Sequence, residues 1–218
     1  MNYSSAEPDR GRRAGGLDRP TILSAAVALV DRDGLCALNM RALARALGAG
    51  TMSLYHHVPN KDALLDGITE AVLTEVDIPA AGDGPWAARV VDLATSFRGV
   101  CLRHPNCIPL LVTRTFGSET ALGPCEAGFG LLAEAGFEPA RAVVVFRTIV
   151  AYCLGFVTME SGGFFGGLGP NRDPAELRGA GLVRLAELVP HLDGRDFAAD
   201  FRSGLRILLA GVREEARA

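Results

Sequence analysis

Tyr55, His56, His57 and Lys61 fall within seven positions, and Thr51, Met52 and Ser53 stand just before them. A phenol, two imidazoles and an ammonium can contact phosphates and stack on bases, and residues at the start of a helix can reach base edges. Arg41, a little earlier, offers a guanidinium to a phosphate or a guanine. This is the chemistry of reading nucleic acid rather than of breaking bonds. The alternative for Tyr55 and His56 is packing against a neighbouring helix. Of the other two histidines, His104 precedes Pro105 and His191 follows Pro190. Neither falls into a nucleophile–base pattern with a Cys, Ser or acid, so no catalytic residue is assigned and the chain is not read as an enzyme. Five cysteines (Cys36, Cys101, Cys107, Cys125, Cys153) give an odd count with no CxxC pair. That argues against a disulfide framework or a zinc site. Buried free thiols are expected, with no metal and no cofactor.

The reading residues need helices to hold them, and the local signals supply these. Asn39 can cap a helix over 40–47, with Leu43, Ala44 and Leu47 on one side. Gly48-Ala49-Gly50 breaks it and turns the chain. A short helix over 51–57 then carries Thr51 to His57 until Pro59 stops it. Asn60 caps a further helix over 61–76, with Leu64, Leu65, Ile68, Val72 and Val76 inward. Before all of these, Asp18 caps a helix over 19–33 that buries Ile22, Ala25, Ala26, Leu29 and Val30 and ends at Gly34. Helix, glycine turn and short polar helix follow the plan of a helix-turn-helix, whose second helix enters the DNA major groove.

Charge agrees with this placement. Residues 1–61 hold eight Lys and Arg against five Asp and Glu, whereas residues 62–218 hold fourteen against twenty. A basic module on an acidic body puts the phosphate-attracting end first. A hydrophobic share of 49% with 22% charged residues is that of a soluble globular protein. The polar start of the chain has no apolar signal core, and no uninterrupted apolar run reaches membrane-spanning length. A cytoplasmic location without membrane contact is expected. Residues 1–17 read as a disordered arm from which Arg10, Arg12 and Arg13 could reach phosphates.

After a linker at 77–85 the periodicity stays helical: 86–103, 108–115, 118–135, 138–160, 174–189 and 196–215. The 138–160 helix is apolar on nearly every side, so it must be buried in the core or against a second subunit. The glycine-rich stretch 161–173 lacks a phosphate-binding pattern and reads as a flexible connection. Phenylalanines, leucines and valines among sparse polar groups suggest an apolar small-molecule pocket between helices.

The sequence resembles the tetracycline-repressor family of bacterial transcription regulators. The matching residues are Ile22, Ala25, Ala26, Gly34, Leu38, Met40 to Ala44, Leu47, Gly48, Leu54 to Val58 and Asn60 to Leu65, and the likeness is strongest over 19–76. The resemblance implies an all-α fold with a three-helix DNA-binding domain at 18–65 and a ligand-binding and dimerisation domain at 66–218. It implies DNA contacts at Arg41, Thr51, Met52, Ser53, Tyr55, His56, His57 and Lys61. The C-terminal half is similar to that of the tetracycline repressor itself, which implies a pocket lined by Phe97, Leu110, Arg114, Phe146, Val150 and Met159. Leu110 stands where that repressor has a histidine holding a metal–drug complex, so no metal is expected here. The implied function is that of a homodimeric repressor that holds a palindromic duplex operator and releases it on binding an apolar or amphipathic effector.

Overall fold

Asp18 Oδ1 accepts the Thr21 amide at 2.9 Å, and with Pro20 in the first turn this starts α1 (Arg19–Asp33). Asn39 Oδ1 accepts the Ala42 amide at 2.9 Å and starts α2 (Met40–Leu47); α3 (Thr51–His57) follows. Asn60 Oδ1 accepts the Ala63 amide at 2.8 Å and starts α4 (Lys61–Leu73). The computed structural model describes residues 17–80, 82, 84–114, 117–164, 173–191 and 196–215. The expected arm, but for Leu17, and most of the glycine-rich connection lie outside the described residues.

α4 ends three residues short of the sequence expectation. The Val76 amide bonds the Leu73 carbonyl, so the last turn tightens out of α-helical form. Val76 itself stays buried, which is why its periodicity looked helical. The body then runs α5 (Trp86–Arg103), α6 (Ile108–Thr113), α7 (Glu119–Glu134), α8 (Pro139–Ser161), α9 (Pro174–Gly179), α10 (Val183–Leu188) and α11 (Phe197–Glu215). The single helix expected over 174–189 is two. Gly181 takes φ +77° and the Leu182 amide reaches back to the Leu177 carbonyl at 2.8 Å, closing the first helix. Short 3-10 turns at Leu35–Ala37, Pro105–Cys107 and Val189–His191 fill the corners. No strand occurs among the described residues, so the fold is all-α.

Ile22, Val30, Leu43, Leu54, Leu64 and Ile68 form the fully buried centre of the first four helices. α4 packs on α1 on one side and on α5, α6 and α7 on the other, so it belongs to both halves. In the body, α5 is the axis, flanked by α7, α8 and α11. Two ion pairs fix it. Arg89 reaches Glu134 on α7, and Arg98 donates through Nε (2.9 Å) and Nη2 (2.5 Å) to both oxygens of Glu160 on α8.

In the single chain α8 is buried on one side only. Ala142, Val145, Ile149, Cys153 and Val157 recur at helical spacing and face inward, while Val144 and Met159 are 52% and 44% exposed. α8 has 23 residues and a window of mean hydropathy 2.0, and by length and composition alone could cross a membrane, although Arg147 interrupts its apolar run. Here it packs along α5, α7 and α11 of its own chain. The cysteines are not uniformly buried either: Cys36 is exposed and Cys125 half-buried, because Cys36 falls in the 3-10 turn rather than on a core-facing helix.

Candidate nucleic-acid interface and internal cavity

Gly48 closes α2 in the left-handed region (φ +62°), which swings α3 away from the α2 axis. Leu54 and Val58 are 0% and 1% exposed and anchor α3 on the core. With that face inward, Met52 (74% exposed), Ser53, Tyr55, His56 and His57 turn outward, and Thr51 is half-buried at the first turn. Tyr55 and His56 therefore do not bury themselves against α1. A shallow groove gathers Arg41, Thr51, Tyr55 and Lys61 over a floor that includes Leu64. It also holds Arg45, which the sequence reading missed. The signal was available, because Arg45 lies one helical turn after Arg41 on the same face. Among the described residues, no carboxylate pairs with Arg41, Arg45 or Lys61. Three free cations beside a row of exposed polar side chains offer a phosphate-binding rim around a base-reading helix.

The second feature is an internal cavity of about 150 Å³ where α4, α5, α6, α7 and α8 meet. Of the residues expected to form a pocket, Phe97, Phe146 and Val150 line it. Leu110 is buried without lining it; the neighbouring Leu111 does so. Met159 lies near the exposed end of α8. Arg114 is engaged elsewhere, its Nη2 2.8 Å from Asp62 and its Nη1 3.2 Å from Asp66, both on α4. The lining also includes Leu73 and Val76, from the end of α4, which the sequence reading did not place there. Phe146 stacks on Phe129 with ring centroids 4.3 Å apart. Among the described residues, the only lining heteroatoms on side chains are the thiols of Cys125 and Cys153. Burial pushes both up, Cys153 to about 12, so they stand as neutral thiols rather than nucleophiles or metal ligands. Among the described residues no cluster of three or more His, Cys, Asp and Glu could hold a metal.

Between the two features lies a polar joint that the sequence did not suggest. His104 Nδ1 is 2.7 Å from Asp31 Oδ2 on α1, and its Nε2 is 3.1 Å from Glu75 Oε1 just past α4. Asn106 Nδ2 donates to the carbonyls of Val30 (3.0 Å) and Asp31 (3.1 Å) at the end of α1. Arg103 also reaches Glu75 at 2.9 Å. Burial acts to raise Glu75, but hydrogen bonds from Arg103 and His104 outweigh it and hold the carboxyl below its usual value. The acidic partners of His104 lie 73 and 29 positions away, beyond the reach of any local pattern.

A helix-turn-helix head with an unpaired cationic rim, set on a helical body with an apolar cavity, defines a DNA-binding transcriptional regulator of the ligand-sensing class. The chain belongs to the tetracycline-repressor family. Residues 22–68 match the model for bacterial regulatory proteins of the tetR family, and residues 78–216 match that for the tetracyclin repressor-like C-terminal domain. An HTH-type transcriptional regulator of Saccharopolyspora erythraea is 35% identical over 92% of this chain and 86% of its own. The class A tetracycline repressor from transposon 1721 in Escherichia coli is 34% identical over 88% of each chain. The crystal structure of ActR from Streptomyces coelicolor in complex with actinorhodin superposes with a TM-score of 0.77 at 28% identity, over 91% of this chain and 96% of that one. These relatives are regulators, and this chain acts on DNA rather than as an enzyme.

Proposed function

We propose that this chain is a cytoplasmic homodimeric repressor that holds a near-palindromic operator and releases it when a small molecule fills the internal cavity. The observation that carries the reading is that α4 serves both features. Its first residue, Lys61, lies in the cationic groove and its last, Leu73, lines the cavity. Twelve residues of helix separate them by about 18 Å. A ligand that moves Leu73 therefore moves the reading helix, provided it binds the two states of α4 with different affinity. α6 adds a second link, with Leu111 at the cavity and Arg114 paired to α4. The head is taken as residues 18–65 and the body as 66–218. Base reading is assigned to Thr51, Met52 and Ser53, and backbone contact to Arg41, Tyr55, His56, His57 and Lys61, with Arg45 added. Effector contact is assigned to Phe97, Phe146 and Val150 and not to Leu110, Arg114 or Met159.

Exposed apolar residues support the dimer. Val144 and Met159 on α8 and Ile207 on α11 (75% exposed) leave both helices open on one side of a single chain. Pairing them with a second copy would bury that side as a four-helix bundle. Two heads would then enter successive major grooves about 34–36 Å apart. The test is selection of duplexes from a random pool, followed by sedimentation of the free protein. A two-fold symmetric site bound by a dimer is expected. Ile207→Glu with Leu208→Glu should give monomers with weakened operator binding. Failure to enrich any duplex sequence would overturn the repressor reading, and a monomeric wild type at micromolar concentration would overturn the dimer.

A further inference from the structure

The cavity's lining specifies what can occupy it. Among the described residues, no lining side chain is charged, and none carries a hydroxyl, an amide or an imidazole. The backbone N–H groups around it are spent within α5, α7 and α8; Pro124, inside α7, has no N–H to give the Thr120 carbonyl, which adds an acceptor but no donor. A ligand carboxylate placed here would leave water and find no donor among these groups. Arg89 and Arg98 of α5 do not line the cavity and pair with Glu134 and Glu160, although Arg89 Nε is buried without a partner. A cavity of 150 Å³ walled by aliphatic and aromatic groups is the size that accepts a benzene ring.

Resting on the reading of this cavity as the effector site, we infer that its ligand is a neutral, hydrocarbon-like molecule of about one ring with short apolar substituents. It is neither an anion nor a metal chelate. One wall sets the size limit. Gly128 on α7 lies against Phe146, and a Cβ added there would stand 2.6 Å from Phe146 Cε2. The absence of that Cβ lets the Phe146 ring lie back on Phe129 and keeps the space open. A residue of any size at Gly128 drives the ring into the cavity, and removal of the ring enlarges it.

The test is calorimetric titration of the full-length protein with ethylbenzene and with phenylacetate, which have the same ring and nearly the same shape but differ by one charge. Ethylbenzene should bind, and phenylacetate should bind at least ~100-fold more weakly, because burying an unpaired carboxylate costs far more than burying a methyl group. Gly128→Ala should weaken ethylbenzene at least ~10-fold. If that variant does not fold, Phe146→Ala serves, since it should bind naphthalene at least ~10-fold more tightly than the wild type does. Phenylacetate binding as tightly as ethylbenzene, or no binding of ethylbenzene, overturns the inference. So does naphthalene affinity unchanged by Phe146→Ala. None of these outcomes touches selective DNA binding, whose loss would instead sink the repressor reading.

Discussion

The reading head and the body are both helical, but they are specified over different distances along the chain. In the head, each helix carries its own start and stop: Asn39, Gly48 and Asn60 act on residues three or four positions away. In the body, the features that matter are built from partners far apart. The cavity draws on five helices, and the joint at His104 spans 73 positions. A local specification can be read from near neighbours; a distributed one is settled only when distant helices pack.

The sharpest test of the difference is Leu54→Ala against Val150→Ala. Leu54 is fully buried in the head, and its truncation should cost about 2–5 kcal/mol by chemical denaturation and abolish operator binding. Val150 already faces empty space, so its truncation should cost about 1 kcal/mol or less. Equal costs would mean that the head is no more tightly specified than the body. The next effect belongs to the cationic rim. Arg45→Ala and Lys61→Ala should each lower operator affinity about 10-fold, with the slope of log affinity against log salt falling by about 1. Ser53→Ala should change sequence preference and leave that slope alone. An unchanged slope in Arg45→Ala would remove that residue from the interface.

A smaller effect probes the link between the regions. Arg114→Ala frees α6 from Asp62 and Asp66. It should alter the ratio of operator affinities with and without effector by about 0.5–2 kcal/mol while leaving effector affinity for the operator-free protein intact. Equal ratios in wild type and variant would discard α6 as a route. The smallest effect concerns pH. Glu75 is held below its unfolded value of about 4.5, so its stabilising contribution is complete above that pH. It is lost as pH falls through the lower folded value. Melting temperature should therefore drop more steeply below pH 4.5 in wild type than in Glu75→Gln; parallel curves would show that the joint carries no such linkage.

The same contrast explains what could be read from the sequence alone. The bounds of α1, α2, α3 and α5 were legible because caps, glycines and prolines act on near neighbours. Phe97, Phe146 and Val150, which line the cavity, came from the family resemblance rather than from periodicity, since α8 is apolar on nearly every side. Leu110 misses the cavity because α6 is only six residues long and one step along it, to Leu111, decides what lines the wall; Arg114 stands just past α6 and is held by Asp62 and Asp66 of α4. Gly181 looked like one small residue within a helical pattern, and its positive φ appears only once the chain folds back on Leu177. Leu73 and Val76 read as ordinary core, since nothing in their own neighbourhood announces that the far wall is missing.

The joint at His104 and Asn106 also bears on how the molecule comes apart. The last carbonyls of α1 are held from both regions: Val30 accepts from the Gly34 amide of the head and from Asn106 of the body, and Asp31 accepts from Asn106. Residues of the head and the body share one continuous apolar cluster. Heating should accordingly unfold both regions in a single transition, with calorimetric and van't Hoff enthalpies in agreement. An isolated fragment of residues 18–65 would lose the end of α1 first, and would be a weaker reader even with every DNA-facing side chain in place.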